Sequence, residues 1–208
     1  MGYKVVIPAR YMSTRLPGKP LIEIDGLPMV IHVAKRARFS GADEVIIATD
    51  DLRIFDEVSK HNFEALMTSD KHISGTDRVL EVVKLKQWSD NEIIINVQGD
   101  EPLIDPQLIN LVYEGMKKEG LNYATAASKF KIFDDYANPN NVKVILGKDN
   151  FALYFSRSMI PYFFSDEKNH WDPLISYHHI GLYGYTPILL REFCALQESA
   201  HESAEKLE

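Results

Sequence analysis

The chain has 208 residues, 45% of them hydrophobic and 25% charged, with a formal net charge of -7. That length supports one sizeable core, while the negative balance excludes a protein that coats phosphate polymers or membrane surfaces with a broad basic face. No apolar run approaches the roughly 20 residues of a membrane helix, no signal-peptide layout precedes the first strand pattern, and the single cysteine, Cys194, forms neither an internal disulfide nor a thiolate cluster. A soluble cytoplasmic protein with no nucleic-acid or membrane partner is expected.

Apolar "YKVVIPA" reads as a buried strand, and "PMVIHVAKRARFSG" places Val30, Val33, Ala34 and Ala37 at helical spacing, with Pro28 suited to the first turn and Gly41 to the stop. The beat then repeats: strand "DEVIIATD", helix "DLRIFDEVSKH", strand "FEALMT", helix "SGTDRVLEVVKLKQ", strand "NEIIINVQGD" and helix "DPQLINLVYEGMKKEG". In the last of these Asp105 suits the N-cap, Pro106 the first helical position and Gly120 the stop. Four strand–helix units in series predict a mostly parallel sheet covered by helices. Beyond about residue 121 the pattern changes to the strands "NYATAASKF", "NVKVILGKDNFALYFSRSMIP" and "HHIGLYGY", with a hairpin around Gly147. An antiparallel flap and a mixed-sheet edge follow, and the aperiodic stretch from Tyr162 to Pro173 is expected to be a mobile loop.

In an open α/β sheet, ligands bind beyond the carboxyl ends of the strands. The segment "PARYMSTRLPGKP" stands there, after the first strand, and gathers Arg10, Arg15 and Lys19. A Walker loop would need a glycine where Ser13 stands and Ser or Thr where Pro20 stands, so backbone alone is no phosphate cradle. Two guanidinium forks and an ammonium suit the oxygens of a polyphosphate, with Ser13 and Thr14 adding hydroxyls and Pro17 and Pro20 stiffening the approach. A nucleoside triphosphate is the guest that fits. After the most strand-like run, "NVQGDEP" sets Asp100 at the same edge, where a carboxylate suits magnesium bridged to nucleotide phosphates; Glu101 beside it reads as a turn or helix-entry residue. In "SGTDR", Ser74 or Thr76 can cap a helix, while Arg78 with hydroxyls or carbonyls can tell cytosine from uracil. Asp50 and Asp51 of "ATDD" are expected to end a strand and begin a helix, with a direct ligand role as the alternative.

"IPARYMSTRLPGKPL" resembles the N-terminal signature of the 3-deoxy-manno-octulosonate (KDO) cytidylyltransferases, or CMP-KDO synthetases, of the nucleotide-diphospho-sugar transferase superfamily. "ATDD", "SGTDR", "NVQGDEP", "NPNNVKV", "LYFSRSMIP" and "HIGLYGY" continue the resemblance in family order over nearly the whole chain. The resemblance implies a Rossmann-like α/β fold with a mostly parallel mixed sheet flanked by helices and a small antiparallel flap. It also implies transfer of CMP from CTP to KDO, giving CMP-KDO and pyrophosphate for lipopolysaccharide biosynthesis. One nucleotidyltransferase domain over 1–208 is expected, with CTP bound by about 1–120 and the sugar and a second copy of the chain by about 121–208.

By the same resemblance, Pro8, Ala9, Arg10, Ser13, Arg15, Lys19, Ser74, Thr76, Arg78 and Gln98 bind CTP, with Arg10, Arg15, Lys19 and Asp100 catalytic and Asp100 a magnesium ligand. Arg157 supplies a cation for the sugar carboxylate, and His179, Tyr185 and Glu208 are expected at the sugar. Alternation puts Tyr183 and Tyr185 on one strand face. "ESAEKLE", with Glu205 and Glu208, is similar to the start of the family's helix near the sugar; the family's second metal aspartate lies beyond Glu208, so the C-terminus is expected to be incomplete. The acceptor alternatives are amino-KDO and sialic acid, and a CTP-binding module without turnover is the alternative from another class. A homodimer is the expected assembly.

Overall fold

In the computed structural model the described residues are 2–12, 16–164 and 171–207. They form two compact units, 1–124 with 182–197 and 125–181 with 198–208. The architecture is the expected mixed, mostly parallel sheet flanked by helices.

In the first unit, β1 (Lys4–Pro8) leads through a 3-10 turn (Lys19–Leu21) to a two-stranded antiparallel ribbon, β2 (Glu23–Ile24) and β3 (Leu27–Pro28), which the sequence pattern did not announce. Pro28 closes that ribbon and precedes α1 (Met29–Phe39), one position earlier than expected. Then follow β4 (Glu44–Thr49), α2 (Leu52–Lys60), β5 (Glu64–Met67), α3 (Gly75–Leu85), β6 (Ile94–Val97) and α4 (Pro106–Glu119). Strands β5, β4, β1 and β6 lie side by side and parallel. The ends of α4 obey the expected chemistry: the Asp105 carboxylate accepts from the Gln107 N–H at 2.9 Å, Pro106 opens the helix, and Gly120 takes the left-handed conformation at φ 65°.

One face of the sheet packs Val6, Ile46, Ala48 and Ile94 against Val79, Val82 and Val83 of α3. Across the sheet, α4 brings Met116 and Val112 over Ile95 and Gly184. A side chain on Gly184 would place its Cβ 2.3 Å from the Met116 sulfur, 3.0 Å from Val112 and 3.2 Å from Ile95, so α4 lies directly on the glycine backbone.

The second unit contains β7 from Thr125 on (Tyr123–Lys129), a short α5 (Phe133–Ala137), and β8 (Lys143–Leu146) and β9 (Ala152–Ser156), paired antiparallel. The expected hairpin is present, its turn closed by the Gly147 N–H donating to the Phe151 carbonyl at 2.8 Å. β10 (Tyr177–Tyr185) starts in this unit, where Tyr177 and His178 pair with β8, and ends in the first, where Leu182–Tyr185 pair antiparallel with β6. Helix α6 (Pro187–Cys194) belongs to the first unit and α7 (Ala200–Glu205) to the second. Of the expected mobile loop, Tyr162–Phe164 and Trp171–Pro173 are irregular, and 165–170 lie outside the described residues.

His179 sits in the second unit with its Nε2 2.9 Å from the Thr125 hydroxyl and its ring edge-on to Phe155 at 4.6 Å. Burial, with His178 adding like charge, pulls its pKa down to about 4.

Two outcomes are expected. Gly184→Ala should lower the unfolding free energy by about 1–3 kcal/mol through overpacking beneath α4, read as a fall in Tm. His179 is neutral in the folded chain down to about pH 4, whereas the unfolded chain protonates near its ordinary value of about 6.5. Stability therefore falls as pH drops from about 6.5 towards 4, with no contribution above that window. Urea titrations across the window should show a shallower acid slope for His179→Gln than for the natural chain; equal slopes would mean an ordinary histidine.

Candidate functional site

β1 and β6 are parallel neighbours, paired Lys4 to Ile94 and Val6 to Asn96, so the loops after both strands leave the sheet at one edge. Their backbones come very close there. An added Cβ at Gly99 would lie 2.8 Å from the Pro8 carbonyl oxygen. Buried Ala9 donates its N–H to the Ala48 carbonyl at 2.8 Å, which fixes the loop's exit, and Arg10 follows it into solvent. Further along, the Gly18 N–H donates to the Tyr11 carbonyl at 2.8 Å, and Gly18 has φ 73° with its α-carbon against the Tyr11 ring. Only glycine accepts that conformation and that neighbour together. The Arg53 guanidinium lies over the other partner in this contact, the Tyr11 ring, at 3.3 Å, and is itself paired with Asp51 at 2.6 Å.

This folding brings two of the expected site residues together: the Lys19 ammonium donates to Asp100 Oδ2 at 2.6 Å, with the side chains 35% and 49% exposed. Both groups are open to solvent, so the pair adds little to stability and exchanges readily for another charged partner. Next to them, Glu101 donates its N–H to the Gln98 carbonyl at 3.2 Å, closing the turn that presents Asp100. The Glu101 carboxyl is raised above its ordinary pKa, chiefly by desolvation and then by the Asp100 charge, with Lys19 opposing. Among the described residues no group of three or more His, Cys, Asp and Glu side chains gathers to hold a metal. Ser13 and Arg15 lie outside the described residues, as do Thr14 and Glu208.

The segment before α3 forms the adjacent wall. Ser74 caps α3, its hydroxyl accepting from the Asp77 N–H at 3.0 Å in a reciprocal capping box. Gly75 lies against the Pro8 ring, 3.4 Å from an added Cβ, and Thr76 is buried. Arg78 does not present an open edge to a ligand: it is 3% exposed and donates to the Thr68 hydroxyl at 2.5 Å and to Asp50 at 2.8 Å. It braces the end of β4 against the loop after β5. Glu81 secures the same loop from α3, accepting from the Ser69 N–H at 2.8 Å and contacting the His72 ring. "ATDD" thus contributes a brace, Asp50, and a helix cap, Asp51, whose carboxylate accepts from the Arg53 N–H at 2.9 Å.

In the second unit Arg157 is surrounded by acceptors. Its main-chain N–H donates to the Glu205 carboxylate, its Nε to the Glu205 carbonyl at 2.5 Å, and its terminal nitrogens to the carbonyls of Pro139 and Lys206 at 3.1 Å each. A guanidinium has five N–H groups. Three are committed, leaving one on each terminal nitrogen without a partner among the described residues. Glu205 also accepts from the Ser156 hydroxyl at 2.8 Å, and the Arg157 N–H leads the interactions that hold its pKa below the ordinary carboxylate value.

Tyr185 requires a correction. Alternation correctly set it on one face with Tyr183, their rings stacked at 6.1 Å, but it is 4% exposed and pairs with Ile94 at the start of β6. That is the end of the strand opposite Asp100. The ring belongs to the core with Val79 and Leu190, not to a ligand. One buried cation escaped the sequence reading altogether: Lys143, flanked by Val142 and Val144, reads as the outward residue of an alternating strand yet is fully buried. Burial, followed by the Arg157 charge, holds its pKa below the ordinary lysine value.

A cytidylyltransferase family model matches residues 4–208. The chain is 45% identical over its full length, and over 84% of the other's, to the 3-deoxy-manno-octulosonate cytidylyltransferase 2 of Actinobacillus pleuropneumoniae serotype 5b. It is likewise 45% identical, over 83% of the other chain, to the 3-deoxy-manno-octulosonate cytidylyltransferase of Nitrosococcus oceani. A solved CMP:2-keto-3-deoxy-manno-octonic acid synthetase complexed with CTP superposes with a TM-score of 0.89 at 42% identity, covering 100% of this chain and 83% of that one. A cytidylyltransferase from Leptospira borgpetersenii shares the fold, with a TM-score of 0.60 at 19% identity over 99% of this chain and 71% of its own. Matched from Lys4 onward and at such identities over its whole length, the chain belongs to the cytidylyltransferase family, among the 3-deoxy-manno-octulosonate cytidylyltransferases.

Proposed function

We propose that the chain transfers CMP from CTP to KDO, releasing pyrophosphate and activating the sugar for lipopolysaccharide synthesis in the cytoplasm. The observation that carries this reading is the 2.6 Å contact between Lys19 and Asp100 at the carboxyl ends of neighbouring parallel strands. A cation from the first loop and a carboxylate from the loop after β6 meet where a triphosphate would lie. When phosphate oxygens arrive, Lys19 turns from Asp100 to them, and Arg10 and Arg15 add charge around the departing pyrophosphate.

The exchange leaves the Asp100 carboxylate for a hard cation, and one carboxylate completed by phosphate oxygens is a donor set that suits magnesium. When bound, magnesium draws negative charge away from the reacting phosphate. Pro8, Ala9, Gln98, Ser74 and Thr76 line the nucleotide side, the Ser13 hydroxyl is assigned to CTP with them, and Arg78 acts on base discrimination through the loop it braces. On the sugar side, the two uncommitted N–H groups of Arg157 receive the KDO carboxylate, while His179 and Glu208 address its hydroxyls. The exposed apolar side chains of Phe151 and Leu153 on the β8–β9 hairpin support a homodimer, since a second copy would remove them from water.

Pyrophosphate release with CTP and KDO, followed by the intact mass of the product, tests the reaction. Amino-KDO and sialic acid test the acceptor, and CTP binding without release under any acceptor would refute the transferase. Removing a charged donor to phosphate costs roughly 1.5–3 kcal/mol, so Lys19→Ala and Arg15→Ala should each lower kcat/KM for CTP about tenfold to a few hundredfold. For Lys19→Ala, Tm should hardly move, because its observed pair is exposed. Asp100→Asn should reduce turnover by about a hundredfold or more and raise the magnesium requirement. Unchanged kinetics in all three variants would remove the triphosphate assignment.

A further inference from the structure

Among the described residues, Lys143 is a fully buried cation whose bonded partners are all main-chain carbonyls. Its ammonium donates to Asn138 at 2.9 Å, Asn141 at 2.8 Å and Arg157 at 2.6 Å. An ammonium has three N–H groups and no acceptor, so these three carbonyls use all it has. Burying a charge is costly unless its surroundings are fixed to receive it, and a methionine would fill the same space without that cost. What a methionine lacks is the ability to hold three carbonyls at one point.

Those carbonyls belong to a closed circuit. Asn138 and Asn141 bound one tight turn, in which the Asn141 N–H donates to the Asn138 carbonyl at 3.1 Å and the Asn140 N–H to the Asn138 side chain at 2.9 Å. The Pro139 carbonyl in the middle of that turn is the acceptor for an Arg157 terminal nitrogen. Lys143 therefore grips the two ends of the turn and the main chain of Arg157, while the Arg157 side chain grips the centre of the turn. Arg157 then extends the circuit to α7 through the Glu205 carboxylate and the carbonyls of Glu205 and Lys206. Backbone pairing anchors Lys143 from both sides, opposite Ser156 of β9 and His178 of β10.

We propose that Lys143 is a positioning residue for the sugar acceptor, setting the Arg157 guanidinium and the α7 terminus by gathering three carbonyls around its ammonium. The proposal rests on the assignment of Arg157 to the acceptor carboxylate. None of the groups assigned to the triphosphate belongs to the circuit, so its loss acts on one substrate only.

The test compares the natural chain with Lys143→Met and Lys143→Gln in steady-state pyrophosphate assays, varying KDO and CTP separately, with calorimetric CTP titration to establish that each variant is folded. In a folded variant the KM for KDO should rise tenfold or more while the KM for CTP stays within twofold. Lys143→Arg, which keeps the charge and several donors, should recover at least half of that rise on a logarithmic scale. Parallel rises in both KM values, an unchanged KDO KM, no recovery in Lys143→Arg, or loss of CTP binding in both Met and Gln variants would overturn the proposal. Amide exchange separates this from the functional reading: faster exchange in Lys143→Met, confined to the Asn138–Asn141 turn and Arg157, is expected whichever sugar the natural chain accepts. If the natural chain ignores KDO but that exchange pattern appears, the acceptor assignment fails and the circuit stands; if turnover is normal and exchange is unaltered, the circuit fails.

Discussion

The backbone of β1 meets the backbone after β6 with no room for a side chain between them. At Gly99 a single added carbon would lie 2.8 Å from the Pro8 carbonyl oxygen, and neither atom can swing aside as a flexible side chain would. Because the two strands are parallel neighbours, this contact sets the level at which both following loops leave the sheet. The meeting of Lys19 with Asp100, and the placement of Ala9 and Arg10, all follow from it. Gly18 repeats the requirement at the far end of the first loop, where the Tyr11 ring occupies the space a side chain would need.

The two units use cations in different ways. Lys19 is held by one half-exposed carboxylate, a bond whose net free energy in water is small. Such a charge is kept in place yet remains available to a better partner. Lys143 and Arg157 instead face main-chain carbonyls, which carry no net charge and stay where the fold puts them. The side chain of Lys143 is out of water and its partners belong to an ordered turn, so it serves geometry rather than exchange. Arg78 in the first unit also serves geometry, but through side chains: its buried guanidinium is spent on the Asp50 carboxylate and the Thr68 hydroxyl.

Local chemistry made most of the alternating elements legible. Asp105, Pro106 and Gly120 bound α4 as their backbone preferences dictate, and Gly147 closes the hairpin between β8 and β9. Three elements escaped. The β2–β3 ribbon has two residues per strand, too short for alternation to show. Helix α5 has one turn and buries only Tyr136, so it carries no apolar stripe. Helix α6 has a Thr186 cap and a Pro187 start, signals present in the chain but set directly after a strand, where its Pro-Ile-Leu-Leu opening lacks a clear helical period.

The sequence by itself determined the α/β alternation, the cation-rich loop after the first strand, the carboxylate after the strongest strand and the resemblance that joins them, because each is written in residues close together along the chain. Only the tertiary structure decided which polar and aromatic groups are buried in the fold and which stay open to solvent. Tyr185 shares a motif with His179, yet antiparallel pairing carries it to the opposite end of β6 and into the core. Lys143 alternates with valines like any outward residue, yet is drawn inward by carbonyls from Asn138, Asn141 and Arg157. Alternation fixes the face of a strand on which a side chain lies, but burial depends on what the rest of the chain lays over that face, and no local pattern encodes it.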